Sequence, residues 1–313
     1  MAGRSPADRH RRLRTGGREV RVHREVRAQD DGYASALAPG LHASGDAVRL
    51  AQEIAFASGR LLRLHAAPPD LFAEIRALAT DGDLERATWM CFLTVYLSPL
   101  QGDDPFAGIR LALERGGWDW DARGGGGGHG GDDDVPSLDD IPLGPRTSHD
   151  PARGAETLLA YRHWVSHFGS QARAFVGEDS WTPQRRFERV FERLALPGLG
   201  RAGRYELLIT LGRLGLYELD ADSLHLAVGR GAGPDDLTTV AAKRILAVGE
   251  PVYLERRALA FAQELSLPID VLDLALANWG AGERATLGFR SDISDSHALQ
   301  HVRDALGLDP DDG

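Results

Sequence analysis

Residues 198–203 read Gly-Leu-Gly-Arg-Ala-Gly, a GxGxxG pattern, and an acidic residue, Asp220, follows about twenty positions on. Two chemistries use glycines spaced in this way. In a dinucleotide fold they let the backbone approach a pyrophosphate between a strand and a helix. In a turn between two helices they bring backbone amides to a nucleic-acid phosphate without reading base sequence. The residues ahead of the motif decide between them. In "RRFERVFERLALP" the apolar Phe187, Val190, Phe191 and Leu194 recur at helical spacing with charges between them, and Pro197 then stops the helix. A helical hairpin is therefore expected. Gly198, Leu199 and Gly200 would face the backbone of DNA, with Arg201 and Arg204 adding positive charge.

Carboxylates supply the other half of such chemistry. Asp220 and Asp222 lie in "YELDADSLHL" and are candidates for taking a proton or steadying a developing cation. The alternative for both is to cap a following helix. His163 and His167 stand four apart on one helical face, but with no third ligand nearby they read as ordinary surface or core histidines. Cys91, the only cysteine, sits inside the apolar run "WMCFLTVYL", which excludes an intrachain disulfide and a thiolate metal centre within one chain.

The elements that must position these groups are helical almost throughout. Apolar residues recur at three and four in "DAVRLAQEIAFASGRLLRLH", "DLFAEIRALA", "DLERATWMCFLTVYL" and "AETLLAYRHWVSHF". They do so again in "DDLTTVAAKRILAVG", "PVYLERRALAFAQELS" and "PIDVLDLALANWG". Asp70 and Asp83 suit N-caps; Thr182 suits a cap ahead of Pro183 at the first helical position. No strand series stands out, so the fold class is all-α. Residues 1–43 carry no stable apolar period and read as a disordered basic tail, with nine Arg against three acids in the first 27. Residues 121–150, with five consecutive glycines and an acidic run, read as a flexible insertion in a domain spanning 44–290. A C-terminal helix and acidic tail occupy 291–313.

"LPGLGRAGRYELL" resembles the hairpin of the helix-hairpin-helix DNA glycosylase superfamily, with Leu196, Pro197, Gly198, Gly200 and Leu208 in step. That resemblance implies a two-lobed helical bundle and a catalytic Asp at Asp220 or Asp222. It likens "YLSPLQGDDPF" to a cleft-lining turn, which places Gln101 at the cleft. It departs at Ala202, where the lyase members carry a Schiff-base lysine, and it lacks their iron–sulfur cysteines. The longer stretch "RFERVFERLALPGLGRAGRYELLITLGRLGLYEL", with "DLTTVAAKRILAVGEPVYLERRALAFAQE" and "LDLALANWG", resembles the alpha-glutamyl/putrescinyl thymine pyrophosphorylase family, third clade. What this implies is a DNA base-modifying transferase. An amine of the glutamate or putrescine class would displace pyrophosphate from a flipped, pyrophosphorylated 5-hydroxymethylpyrimidine. Lys243 and Arg244 would then hold the pyrophosphate. Asn278 and Trp279 would hydrogen-bond and stack the flipped base, the alternative for Trp279 being a core anchor. No resident cofactor is implied, and Mg²⁺ accompanying the pyrophosphate is the one candidate. The alternatives are a monofunctional glycosylase and a non-catalytic DNA-binding module.

Composition fits this picture without selecting it. A net charge of −10 excludes a uniformly basic surface, but Arg185, Arg186, Arg189, Arg193, Arg201 and Arg204 form a local basic concentration around the hairpin. No apolar run approaches the roughly 20 residues of a membrane span, and the Arg-rich start lacks the apolar core of a signal peptide. The expectation is a cytoplasmic protein associated with the nucleoid.

Overall fold

The computed structural model describes residues 10–15, 18–23, 28–115, 138–151, 153, 156–226 and 236–309. The body is all helical. Its helices are α1 (Ser44–Ala66), α2 (Asp70–Thr80), α3 (Leu84–Leu97), α4 (Ala107–Glu114), α5 (Glu156–Phe168) and α6 (Gln171–Val176). They continue with α7 (Pro183–Arg193), α8 (Arg201–Arg213), α9 (Leu237–Leu246), α10 (Pro251–Glu264), α11 (Val271–Ala281) and α12 (Ser296–Leu306). Two short strands, β1 (His10–Thr15) and β2 (Arg18–His23), pair antiparallel ahead of them, Thr15 opposite Arg18. The sequence between them is Gly-Gly, a composition that two-residue hairpins favour.

Local signals account for several helix ends. The Thr182 side chain accepts from Arg185 N with Pro183 in the first turn of α7. Asp83, Asp236 and Asp295 cap α3, α9 and α12 in the same way. Asp70 does not cap α2. It lies inside the helix at φ 48°, and its carboxylate is ion-paired to Arg110 instead.

The longest helix, α1, packs on α11 and α12, while α3 carries α2 and α8, and α8 also touches α1. Gly59 permits the close approach on α1. A Cβ there would strike Ile293 O, and Asp295 N donates to Ala55 O at 2.9 Å. An aromatic ladder of Trp89, Phe92 and Tyr96 joins α3 to Tyr161 of α5, with Phe92 and Tyr161 stacked at 3.8 Å. Buried apolar side chains form one continuous cluster reaching from Ala38 to Leu308. No described helix is long and apolar enough to cross a membrane.

Two segments expected to lack order carry structure. In the N-terminal segment, Ala38 and Leu41 are buried, Gly40 N donates to Ile245 O at 2.9 Å and Tyr33 Oη donates to Leu306 O at 2.7 Å. Gly40 is required there, since a Cβ would collide with Arg244 O. Of the expected insertion, residues 121–137, which include the glycine tract, lie outside the described residues, but 138–150 pack against the body. Leu138 and Ile141 are buried, Gly144 N reaches Leu97 O and Ser98 O at 3.1 Å each, and Ser148 N reaches Tyr96 O at 2.9 Å. Arg115 Nη1 donates to Asp139 O at 2.7 Å, tying the end of α4 to the start of this segment. The few apolar residues among the acids and prolines suffice because they fall onto the already buried end of α3.

Candidate functional site

Helix α7, not a strand, leads into the glycine motif, and α8 follows it. The turn between them needs glycine at 198, where φ is +78° and a Cβ would strike Thr157 Oγ1. Gly203 is required for a similar reason, the neighbour being Ser148 Oγ. Gly200 begins α8 with extended backbone and no side-chain cap. The first hydrogen bond of α8 runs from Arg204 N to Gly200 O at 3.1 Å. Among the described residues nothing accepts from the amides of Arg201, Ala202 or Gly203.

Beside this uncapped helix start lies a small pocket, open to solvent, with Arg60, Ser98, Arg146, Ala202, Gly203 and Glu206 in its wall. A still smaller one shares Arg60 and Glu206 and reaches Tyr205, Asp270 and Asp273. Four elements build the polar side of the first pocket, and Phe72 of α2 and Leu287 complete its wall. Helix α1 sends in Arg60, whose residue is 1% exposed. The end of α3 turns through Ser98 at φ 62°, and Ser98 Oγ accepts from Arg146 N at 3.3 Å. The 138–150 segment contributes Arg146, positioned by Gly144, where a Cβ would strike Pro99 O. Helix α8 contributes Ala202 and, one turn on, Glu206.

The charges are organised in a buried network. Asp273 receives Arg201 Nη2 and, at 3.1 Å, Arg146 Nη2; Thr238 Oγ1 donates to it at 3.1 Å. Arg201 Nε also donates to Asp236 at 2.7 Å and its Nη1 to Leu224 O at 2.8 Å. Arg60 pairs with Glu206 Oε1, which also accepts from Thr210 Oγ1 at 3.2 Å. Glu206 Oε2 has no partner among the described residues. Burial alone would push the Asp273 carboxyl up, but the Arg201 and Arg146 guanidiniums overcome it and hold it below the ordinary carboxylate range. Asp270 shows the reverse balance. Burial outweighs its pairing with Arg213 (Nε to Oδ2, 3.0 Å), the nearby Asp220 charge adds to it, and the carboxyl is pushed up. Three buried polar atoms of the network make no hydrogen bond: Arg60 Nε, Arg146 Nη1 and Asp270 Oδ1.

The expected site residues fall into three groups. Gly198 and Gly200 lie at the hairpin turn, with Gly200 and Pro197 exposed. Asp220 and Asp222 are exposed on an extended strap, 218–226, that runs back along α8. Tyr205 Oη donates to Ser223 O at 3.0 Å, and Glu255 accepts from Leu224 N at 2.5 Å and Leu226 N at 2.7 Å. Neither aspartate caps a helix; Asp220 Oδ2 accepts from Gln184 Nε2 at 2.9 Å. The third group is structural, which corrects the expectation. Leu199 is buried. Arg201 turns inward to Asp273 and Asp236, and Arg204 lies over Phe191 and donates to Phe191 O at 3.1 Å, so neither guanidinium reaches a phosphate at the surface.

Asn278 and Trp279 are likewise buried. Asn278 braces Glu53 and Ala285 N, while Trp279 donates to Asp46 O at 2.9 Å between the guanidiniums of Arg49 and Arg244. They anchor α11 and cannot stack a flipped base. Arg244 also reaches Asp46 at 3.3 Å, away from the pocket wall, and Lys243 precedes it on α9. Gln101 is exposed and acts as a strut, donating to Arg284 O at 2.7 Å and accepting from Thr286 Oγ1 at 2.8 Å. The residues that sequence reasoning missed are Arg60, Arg146, Glu206 and Asp273. Only Glu206 left a signal, standing four residues beyond Ala202 and so on the same face of α8. Among the described residues no three His, Cys, Asp or Glu side chains gather as a metal site.

Residues 146–290 match the family described as alpha-glutamyl/putrescinyl thymine pyrophosphorylase clade 3. No curated protein and no solved structure matches the chain. The matched region begins at Arg146 of the pocket wall and contains the hairpin, the strap, Glu206 and Asp273.

Proposed function

From a chain whose residues 146–290 match the alpha-glutamyl/putrescinyl thymine pyrophosphorylase clade 3 family, we infer a DNA base-modifying transferase. Its substrate is a 5-hydroxymethylpyrimidine carrying pyrophosphate, and its second substrate is an amine of the amino-acid or polyamine class. The amine nitrogen bonds to the exocyclic methylene carbon, the bond from that carbon to the pyrophosphate oxygen breaks, and the new ammonium loses a proton. The base leaves the stack to expose that carbon. The turn at Gly198 and Gly200, exposed at Pro197 and Gly200, resembles a helix-hairpin-helix element and contacts DNA backbone through its amides.

The observation that carries this reading is Glu206: a recessed carboxylate beside the hairpin, with one oxygen held by Arg60 and the other free. We assign it the proton. Asp220 and Asp222, solvent-facing on the strap, are assigned to the approach of DNA and amine.

The test is to incubate the protein with DNA bearing the pyrophosphorylated base, together with glutamate or putrescine, and to weigh the digested nucleosides. A mass gain with pyrophosphate release is expected. Free base with abasic sites identifies a glycosylase instead, and an unchanged nucleoside leaves only DNA binding; either refutes the transferase. Glu206→Gln is expected to lower kcat by about 10² or more, while Asp220→Asn and Asp222→Asn raise KM. The reverse pattern moves the proton acceptor to the strap.

A further inference from the structure

The pocket wall holds donors that the protein itself does not satisfy. Arg60 Nε makes no hydrogen bond although its residue is 1% exposed. Arg146 Nη1, from another residue of the same wall, is equally unpartnered while its Nη2 is fixed to Asp273 at 3.1 Å. Buried guanidinium N–H groups left open are uncommon, because each retains the full cost of losing water. The same wall holds Ala202 and Gly203, whose amides belong to the free first turn of α8, where the helix dipole favours negative charge and Gly200 brings no capping side chain. The two features are independent: one lies in side chains from α1 and the 138–150 segment, the other in the backbone of α8.

We propose that this pocket is an oxyanion site for a phosphoanhydride group, held by Arg60 Nε, Arg146 Nη1 and the first-turn amides of α8. Planar guanidiniums suit phosphate oxygens. Asp273 and Glu206 act as positioning residues, since each fixes one nitrogen of a guanidinium and leaves another for the ligand. The proposal draws on the reading above only for the source of the anion, the pyrophosphate released from the base. It replaces Lys243 and Arg244 in that role.

Inorganic pyrophosphate is the probe, titrated calorimetrically into the full-length chain without DNA. Binding is expected for the wild type, with Kd at least tenfold weaker in Arg146→Gln. Ala202→Asp serves as the second variant. A carboxylate at the second helical position complements the dipole, so the protein folds as before, while its charge in the pocket wall abolishes binding. A wild type that binds no pyrophosphate, or two folded variants that bind as the wild type does, overturns the proposal. Unmodified oligonucleotide is expected to leave pyrophosphate binding unchanged. If it competes, the pocket belongs to a backbone phosphate and the proposal also falls. Pyrophosphate binding without base modification sinks the transferase and spares this site; modification with binding indifferent to both variants does the opposite.

Discussion

Replacing Asp273 by Asn tests the buried network at its centre. The carboxylate is 2% exposed and holds Arg201 and Arg146 together. Asparagine keeps the size and the acceptor that Thr238 Oγ1 uses at 3.1 Å, so the change removes charge rather than shape. Removing one partner of a buried ion pair costs about 3–5 kcal/mol. The low end applies here, because Arg201 keeps Asp236 at 2.7 Å and the Arg146 side chain is 14% exposed. About 3 kcal/mol is a substantial part of the roughly 5–15 kcal/mol that holds a typical protein folded. In Tm it is roughly 6 °C, at about 2 °C per kcal/mol for a long chain.

Urea unfolding followed by circular dichroism measures this without screening the charges. The pH dependence supplies the sign. Asp273 is held below its ordinary value of 3.8, so its contribution is complete above that pH and is lost as the solution is acidified through the lower folded value. The gap between wild type and Asp273→Asn is therefore constant from pH 7 down to about pH 4 and closes below it. Asp270 is the internal contrast. Its folded carboxyl is raised, so its ionised form is held at a cost at pH 7 that disappears on protonation. Asp270→Asn is expected to destabilise less than Asp273→Asn at neutral pH. A loss under about 1 kcal/mol for Asp273→Asn, or a larger loss for Asp270→Asn, refutes the assignment of Asp273 as the network's hub.

Two further outcomes are expected. Gly198→Ala meets both a left-handed backbone and the Thr157 hydroxyl, so it lowers stability by about 1–3 kcal/mol, and adding Thr157→Ala restores the steric but not the backbone part; an unchanged urea midpoint would refute the stated need for glycine. His225 stacks on Phe191 at 4.1 Å, and burial, with Arg201 and Arg204, pushes its imidazole down to about 4. Its NMR titration should centre there rather than at 6.5, and because the unfolded chain takes up that proton first, stability falls as pH drops from 6.5 toward 4.

Helix positions were legible because their signals are local: Thr182 with Pro183 opens α7, Pro197 and Gly198 end the run, and the period between them is helical. The inward turn of Arg201 was not legible, since it depends on Asp236 and Asp273, partners 35 and 72 residues away. The same holds for Trp279, whose indole is satisfied by Asp46 at the start of α1. Arg146 was hidden for another reason. Its neighbours are prolines, glycines and aspartates, a composition that reads as loop, and only the buried end of α3 turns it into part of a wall. Glycine requirements at 198 and 203 were recognisable as tight spacing, but the atoms that crowd them belong to Thr157 and Ser148 rather than to a ligand.

The hydrogen bond from Arg115 to Asp139 sets the two residues that flank positions 116–137 side by side on the body. Chain-closure entropy grows so slowly with length that doubling the number of residues between two fixed ends costs only about 0.6 kcal/mol. A reporter domain spliced between those ends is therefore expected to leave Arg146 and the hairpin in register.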